Sequence, residues 1–219
     1  MFTKEKAFRI IILFLGLVVA HLGVTLFLLA DLGADPFNVL IQGLFRFLGA
    51  RITILTHGTT HMAVCFLIII ILFLTKREYI KIGTLVCMFF GGPIIDFFSW
   101  ILTSIHIEKM NIVLKVLILV LGCVILAFGM TIVIRSDAGT GPNDLVAVVI
   151  SETKNWKFGV VRITVDFLFI LTGFLLGGKF GVGTIICAFL VGPIADLFLP
   201  KSDYLVKRSL ACLKNSMQF

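Results

Sequence analysis

Six long apolar runs constrain the fold of this 219-residue chain more than any other feature of its sequence. Each run has about the 20 residues that an α-helix needs to cross the roughly 30 Å hydrocarbon core of a bilayer. The runs are continuous rather than alternating, which excludes an outer-membrane barrel. They cover residues 8–30, 58–75, 82–105, 112–134, 157–178 and 181–199.

The composition supports the same class of protein. Hydrophobic residues make up 59% of the chain and charged residues 14%, whereas a soluble domain carries about 25% charged residues. The sequence therefore predicts an all-α fold, a polytopic transmembrane helical bundle that forms a single integral membrane domain. Because little chain remains for a soluble catalytic domain, we do not expect an enzyme.

The basic residues lie between the apolar runs. The chain has 19 Lys and Arg residues against 12 Asp and Glu residues, and such loop charges orient a membrane protein with its basic loops inside. This bias predicts that the N-terminus and the C-terminus are both cytoplasmic. No dense basic patch is combined with aromatic residues, so we expect no nucleic-acid partner.

Two shorter segments follow the first and fourth runs. They are residues 36–50 (PFNVLIQGLFRFLGA) and 142–153 (PNDLVAVVISET), and each begins with a proline, which suits the first turn of a helix. At 1.5 Å per residue they reach about 18–23 Å, less than the hydrocarbon core. Re-entrant segments give six spans and crossing segments give eight. Their short length and polar residues favour six.

The chain also contains an internal repeat. GTLVCMFFGGPIIDFF at 83–98 matches GTIICAFLVGPIADLF at 183–198, and DLGADPFNVL at 31–40 matches DAGTGPNDLV at 137–146. Hydrophobicity alone does not select the aligned Gly, Pro and Asp residues, so the match predicts a duplicated unit of about 100 residues.

The duplication divides the chain into two repeats, each with three spans and a short re-entrant or broken helix. Repeat 1 covers about residues 8–105, repeat 2 about 112–200, and a cytoplasmic tail follows at 201–219. Three spans per repeat is an odd number, so the repeats would be inverted about an axis in the membrane plane. This arrangement recurs among secondary transporters.

The LGADP and AGTGP elements before the two short segments are candidate site elements. A helix that begins inside the membrane directs free N–H groups and a partial positive charge into the protein, and irregular backbone survives there only if it is buried or lines a cavity. Two such elements would form one central site. Alternatively, they are tight interfacial turns whose carboxylates lie in water or headgroups: Asp31, Asp35, Asp137 and Asp144.

Arg162 and Asp166 stand four residues apart and can form an ion pair on one helix face. A carboxylate in an apolar run is costly, so Asp166 should face the bundle interior. The pair is either a proton or cation site, with Arg162 as counter-charge or anion ligand, or a satisfied polar clamp. The predicted substrate-binding residues are Asp35, Asn38, Asp137, Asn143, Asp144, Arg162 and Asp166.

Several other motifs favour structural roles. Asp96 and Asp196 each follow a Gly-Pro pair, and helix capping or kink stabilisation accounts for both. Glycines at four-residue spacing in and before GGKFGVG indicate close helix packing rather than a phosphate loop, which would end in GK[ST]. These glycines are Gly173, Gly177 and Gly181.

We expect neither a metal nor a cofactor. His57 and His61 have the HxxxH spacing, but the glutamate of HExxH is absent and no third ligand is evident. No nucleophile elbow or dinucleotide fingerprint is present. Four of the five cysteines lie within apolar runs, where they should be reduced thiols that pack as small hydrophobes: Cys65, Cys87, Cys123 and Cys187.

Three motifs together resemble the YczE/YyaS/YitT group of bacterial integral membrane proteins, and most of all its YczE branch. They are LGADPFNVLIQGL, AGTGPNDLV and GGKFGVGTIICAFLVGPIADLF, within a resemblance that extends over about residues 16–198. One departure is Phe37–Asn38, where that branch often has an aromatic residue followed by Asp; Asp35 could supply the carboxylate instead. The resemblance implies a protein of the bacterial cytoplasmic membrane and supports the architecture, without implying a mechanism.

Three functions remain open from the sequence. The leading hypothesis is a small-molecule transporter or permease with its site at the repeat interface. The alternatives are a substrate-capture subunit of a multicomponent importer and a non-transporting scaffold or regulator with a tightly packed centre. The expected partners are the lipid bilayer, a small-molecule substrate, and either a second copy of the chain or a partner transport subunit.

Overall fold

Helices account for nearly all of the chain that the computed structural model describes, namely residues 4–33, 35–49 and 57–216. No strand occurs within these ranges, which confirms the all-α prediction. The α-helices are α1 (Lys4–Leu29), α2 (Pro36–Gly49), α3 (His57–Lys76), α4 (Ile82–Leu102), α5 (Ile112–Arg135), α6 (Pro142–Lys154), α7 (Phe158–Leu175) and α8 (Val182–Ser216).

Six helices in the described ranges are long and apolar enough to cross a membrane. The short helices α2 and α6 are not among them, because they have only 14 and 13 residues and extend about 20 Å at 1.5 Å per residue. The candidate spans are Lys4–Phe27, Thr60–Tyr79, Ile82–Ile105, Ile112–Arg135, Phe158–Leu175 and Val182–Leu213.

Helices α1 and α5 form the closest pair in the bundle. Glycines bring their backbones together: a Cβ added to Gly23 would overlap the backbone of α5 at Gly122 and Leu126, and a Cβ added to Gly129 would overlap the backbone of Ala20. Small residues allow this close approach where lipid provides no hydrophobic driving force. Helix α4 packs on α1, and α8 packs on α5.

The two short helices pack against long helices. Helix α2 lies on α7, where Gly43 and Gly173 bring the two backbones together, and α6 packs on α7 and α3. The C-terminal part of α2 is also bonded to the turn after α7, because Arg46 Nη1 donates to Gly177 O over 2.7 Å. The short helices are therefore held at defined positions between the candidate spans.

The glycine prediction holds at two of three positions. Gly173 contacts α2 and Gly181 contacts the carbonyl of Leu32, but a Cβ on Gly177 would meet no atom within 4 Å. The expectation of close packing was wrong at Gly177, because α7 ends at Leu175 and the glycine lies in the following turn with φ of 92°. Its role is conformational, since glycine adopts positive φ without steric cost.

The turns before α2 and α6 have matching backbone angles at their glycines. Gly33 and Gly139 have φ of 133° and 136°. Leu32 O accepts a hydrogen bond from Gly183 N at the start of α8, and Ala138 O accepts one from Gly83 N at the start of α4, both at 2.8 Å. Each turn therefore packs on a long helix from the other half of the chain.

Helix α8 continues beyond the last apolar run. It passes Pro193 and Pro200 without ending and reaches Ser216, so residues 201–216 of the predicted tail form a helix. Val206 and Leu210 are buried against Ile12 of α1, and Ser202 Oγ and Thr131 Oγ1 are hydrogen bonded at 2.7 Å. Tertiary contacts with α1 and α5 stabilise this extension.

Candidate functional site

A buried ion-pair network joins α6 and α7. Arg162 is 7% exposed, and its Nε donates to Asp166 Oδ2 at 3.0 Å. Its Nη1 donates to Asp144 Oδ1, and Asn143 Nδ2 donates to the same oxygen at 2.9 Å. The predicted pair of Arg162 and Asp166 is thus part of a larger network that includes the first turn of α6.

Local sequence explains how the network forms. Pro142 begins α6, which places Asn143 and Asp144 in its first turn. Asn155 ends α6 with φ of 55°, and α7 begins three residues later at Phe158. This short connection makes α6 and α7 adjacent, so that Asp144 lies beside the N-terminal part of α7, which carries Arg162.

One oxygen of the network has no hydrogen-bond partner among the residues that the structure describes. Asp166 is 1% exposed, and its Oδ1 is buried and unpaired although its Oδ2 accepts from Arg162. Burying a carboxylate oxygen without a partner is unfavourable, and such exceptions in native structures call for an explanation such as a bound ion or proton.

The other predicted pair lies at the start of α2. Asp35 Oδ1 accepts from Asn38 Nδ2 at 2.6 Å, and Asp35 Oδ2 accepts from Asn38 N at 3.2 Å. This is helix N-capping by an aspartate. The charges of Asp35 and Asp144 both act electrostatically on Asp166. We call this group of side chains the polar core; it comprises Asp35, Asn38, Asn143, Asp144, Arg162 and Asp166.

Asp137 lies apart from the polar core. It forms ion pairs with Lys81 and, at 3.7 Å, with Arg9, and two-thirds of its side chain is exposed. With Glu5, Lys6, Arg9 and Lys81 it lines a cavity of about 650 Å³ at one end of the bundle. Hydrogen bonds therefore join four of the seven predicted site residues in one network and two more at the start of α2, and Asp137 lies in a separate charged surface.

His21 was not among the predicted site residues but lies near the polar core. Its Nδ1 donates to Leu17 O at 2.8 Å, and its Nε2 faces Gly91 of α4. The charge of Asp144 acts on His21 and on two buried thiols, Cys65 and Cys87. An ionisable residue inside the first apolar run was the signal that could have identified His21.

His61 is the residue that the predicted repeat aligns with Arg162, because residues 61–67 match residues 162–168 in the sequence. The His61 ring packs edge-on against Phe37 at 5.4 Å, and its Nδ1 lies 3.8 Å from Cys65 Sγ. The imidazole of His61 therefore has an aromatic and thiol environment, in contrast to the ion-pair network of Arg162.

The remaining predicted positions have structural roles or lie outside the described residues. Asp196 Oδ1 accepts from Gly159 N at 2.9 Å, which confirms that it caps the start of α7. The side chains of Asp96 and His57 lie outside the part of the chain that the structure describes. All five cysteines are free thiols, and within the described ranges no three His, Cys, Asp or Glu residues are grouped for a metal ion.

Six candidate spans, two short internal helices and a buried ion-pair network define a polytopic α-helical membrane protein. The chain belongs to the family of unknown function DUF6198, whose model matches residues 7–200. This membership and the relatives named YczE and YyaS confirm the resemblance that the motifs indicated.

The curated relatives match nearly the full chain. "Uncharacterized membrane protein YczE" of Bacillus subtilis is 30% identical over 218 residues, which cover 97% of each chain. "Uncharacterized protein YyaS" of the same organism is 25% identical and covers 85% of this chain and 90% of its own. An "Uncharacterized protein" of Haemophilus influenzae is 27% identical over 86% of this chain and 82% of its own. No solved structure matches.

Proposed function

We propose that this protein is a small-molecule transporter or permease of the bacterial cytoplasmic membrane, with its substrate site in the polar core. The observation that carries the proposal is the Arg162 network with Asp144 and Asp166, buried between helices of a membrane protein. Ionisable residues are expensive within a membrane, and where they occur they commonly mark substrate or ion pathways.

We further infer that the polar core lies between two inverted repeats, at about residues 8–105 and 112–200. Paired features support this inference. The positive φ of Gly33 is matched by that of Gly139, and the hydrogen bond of Leu32 O by that of Ala138 O. The packing of α2 on α7 is matched by that of α6 on α3.

The short helices support a site at this interface. Asp35 precedes the first turn of α2, Asp144 lies in the first turn of α6, and both act on the charge of Asp166. The N-terminal ends of both helices therefore lie near the polar core with their partial positive charges. Discontinuous helices that end at a midplane site are a recurring feature of secondary transporters.

An asymmetry between the halves fits a protein that alternates between two states. Helices α7 and α8 pack closely through Gly159 and Gly192. The corresponding helices α3 and α4 make no more than marginal contact along their described residues. In the other state, α3 and α4 would pack closely and α7 and α8 would separate. This exchange would expose the polar core first to one side of the membrane and then to the other, as alternating access requires.

The test does not require a known substrate. Asn38→Cys and Asn143→Cys are each placed in a background that lacks the five native cysteines. A membrane-impermeant thiol reagent is then applied to intact cells and to inside-out vesicles. We expect both positions to react from both sides, whereas the exposed control Glu78→Cys reacts from one side alone.

Two results would contradict transport. If each cysteine in the polar core reacts from a single side, the site does not alternate. If neither reacts while the control does, the centre is closed to water, as a scaffold requires. Copurification with a partner ATPase would favour the substrate-capture subunit, and isolation without one would support a self-sufficient carrier.

A further inference from the structure

We infer that the polar core binds a primary ammonium group, so that the substrate is a small organic amine in its protonated form. This inference rests on the proposed function, because it names the chemical class of the solute that the site would carry.

The charges of the polar core do not balance. Asp35, Asp144 and Asp166 are three carboxylates, whereas Arg162 is the one basic side chain that the described part of the chain contributes to the group. The neighbouring His21 uses its Nδ1 proton to bond Leu17 O. An uncompensated negative charge inside a membrane protein is unfavourable until a positive charge neutralises it.

Donors within the polar core form hydrogen bonds to its carboxylates. Arg162 donates through Nε and Nη1 to two carboxylates, Asn143 Nδ2 donates to Asp144, and Asn38 Nδ2 donates to Asp35. Oxygens that accept none of these four bonds include the buried Asp166 Oδ1, Asp144 Oδ2 and Asn143 Oδ1.

A primary ammonium group is complementary to such a site. It carries one positive charge and three N–H donors, and hydrogen bonds between charged partners are about twice as strong as neutral ones. An anion would meet the surplus of carboxylates. Mg²⁺ and Ca²⁺ take about six or more oxygen ligands, and the oxygens named above are fewer than that.

The test measures binding of methylammonium chloride to the purified full chain in lipid nanodiscs by calorimetry. We expect saturable binding of methylammonium, no saturable binding of sodium at equal ionic strength, and much weaker binding of tetramethylammonium, which has the charge but no N–H donor. Equal binding of all three cations would show nonspecific ion association and overturn the proposal, as would no binding of methylammonium.

Variants locate the binding site. Asp166→Asn should weaken methylammonium binding at least about tenfold, because it removes a charged acceptor. Asp35→Asn keeps an oxygen for capping α2 and should also weaken binding. The control Asp203→Asn, which removes a carboxylate paired with Lys207 at the exposed part of α8, should bind normally. Unchanged binding in folded Asp166→Asn and Asp35→Asn proteins would refute the assignment.

The two proposals can fail separately. Specific methylammonium binding with labelling from one side alone would uphold the ammonium site and overturn transport. Labelling from both sides without methylammonium binding would uphold transport and overturn the ammonium site.

Discussion

Arg162 is the residue on which the polar core depends. It is buried, and it compensates Asp144 and Asp166, which come from different helices. A buried ion pair is not stabilising in itself, because desolvation costs as much as the attraction returns, but removing one partner leaves an uncompensated charge. The protein should therefore lose stability when one partner of the network is replaced alone, and lose less when the partners are replaced together.

The first prediction at this scale concerns Arg162→Met. We expect a loss of about 3–5 kcal/mol of stability, the usual cost of leaving a buried charge unpaired. The double variant Arg162→Met with Asp166→Leu should regain part of that loss. Thermal unfolding in one detergent measures both, with the exposed Arg135→Met as control. If Arg162→Met loses no more stability than the control Arg135→Met, Arg162 does not stabilise the bundle.

At the scale of elements, the short helices α2 and α6 decide how the chain crosses the membrane. Each follows a turn that contains a glycine of positive φ, and each begins with a proline. The proline suits the first turn of a helix, and the glycine permits a backbone that other residues adopt only with strain. Sequence therefore predicted where both helices begin, although not which helices they contact.

The position of the turn between α3 and α4 tests this arrangement. Glu78 is exposed in that turn, and Glu78→Cys in a cysteine-free background should be protected from a membrane-impermeant reagent on intact cells until the cells are lysed. Protection indicates six spans with cytoplasmic termini, because α2 would then turn back within the membrane. Labelling on intact cells would indicate eight spans and parallel halves, and would contradict the inverted repeats.

At the scale of the whole molecule, the contact between α1 and α5 joins the two halves of the chain. Gly16, Ala20 and Gly129 bring the helices within backbone contact. Helix α4 packs on α1 and α8 packs on α5, and the C-terminal part of α8 also contacts α1 through Val206 and Leu210. The bundle therefore depends on a few positions where no larger side chain fits.

Gly129→Leu tests this dependence. The leucine would overlap the backbone of Ala20, and overpacking against a rigid backbone should cost about 3 kcal/mol, at the upper end of such changes. The matched control is Gly92→Leu, since a Cβ at Gly92 meets no atom within 4 Å. Size-exclusion chromatography and thermal unfolding should show a loss in the Gly129→Leu protein alone. Equal stability of the two variants would contradict the role of this crossing.

The sequence by itself determined the class of protein, the six candidate spans and the two short helices, because these depend on local properties. A bilayer requires about 20 apolar residues per helix, and glycine and proline act on their own backbone. The ion pair of Arg162 and Asp166 was also predictable, since residues four apart share a helix face.

Only the tertiary structure decided which distant residues meet. It brought Asp144 to Arg162, placed Asp137 beside Lys81 and Arg9 instead of in the polar core, and added His21 to its neighbourhood. The physical reason is that contacts between helices depend on how each helix is rotated and where it crosses its neighbours. Those quantities follow from the close approach of glycine backbones across the whole bundle, which the spacing of residues along one segment does not specify.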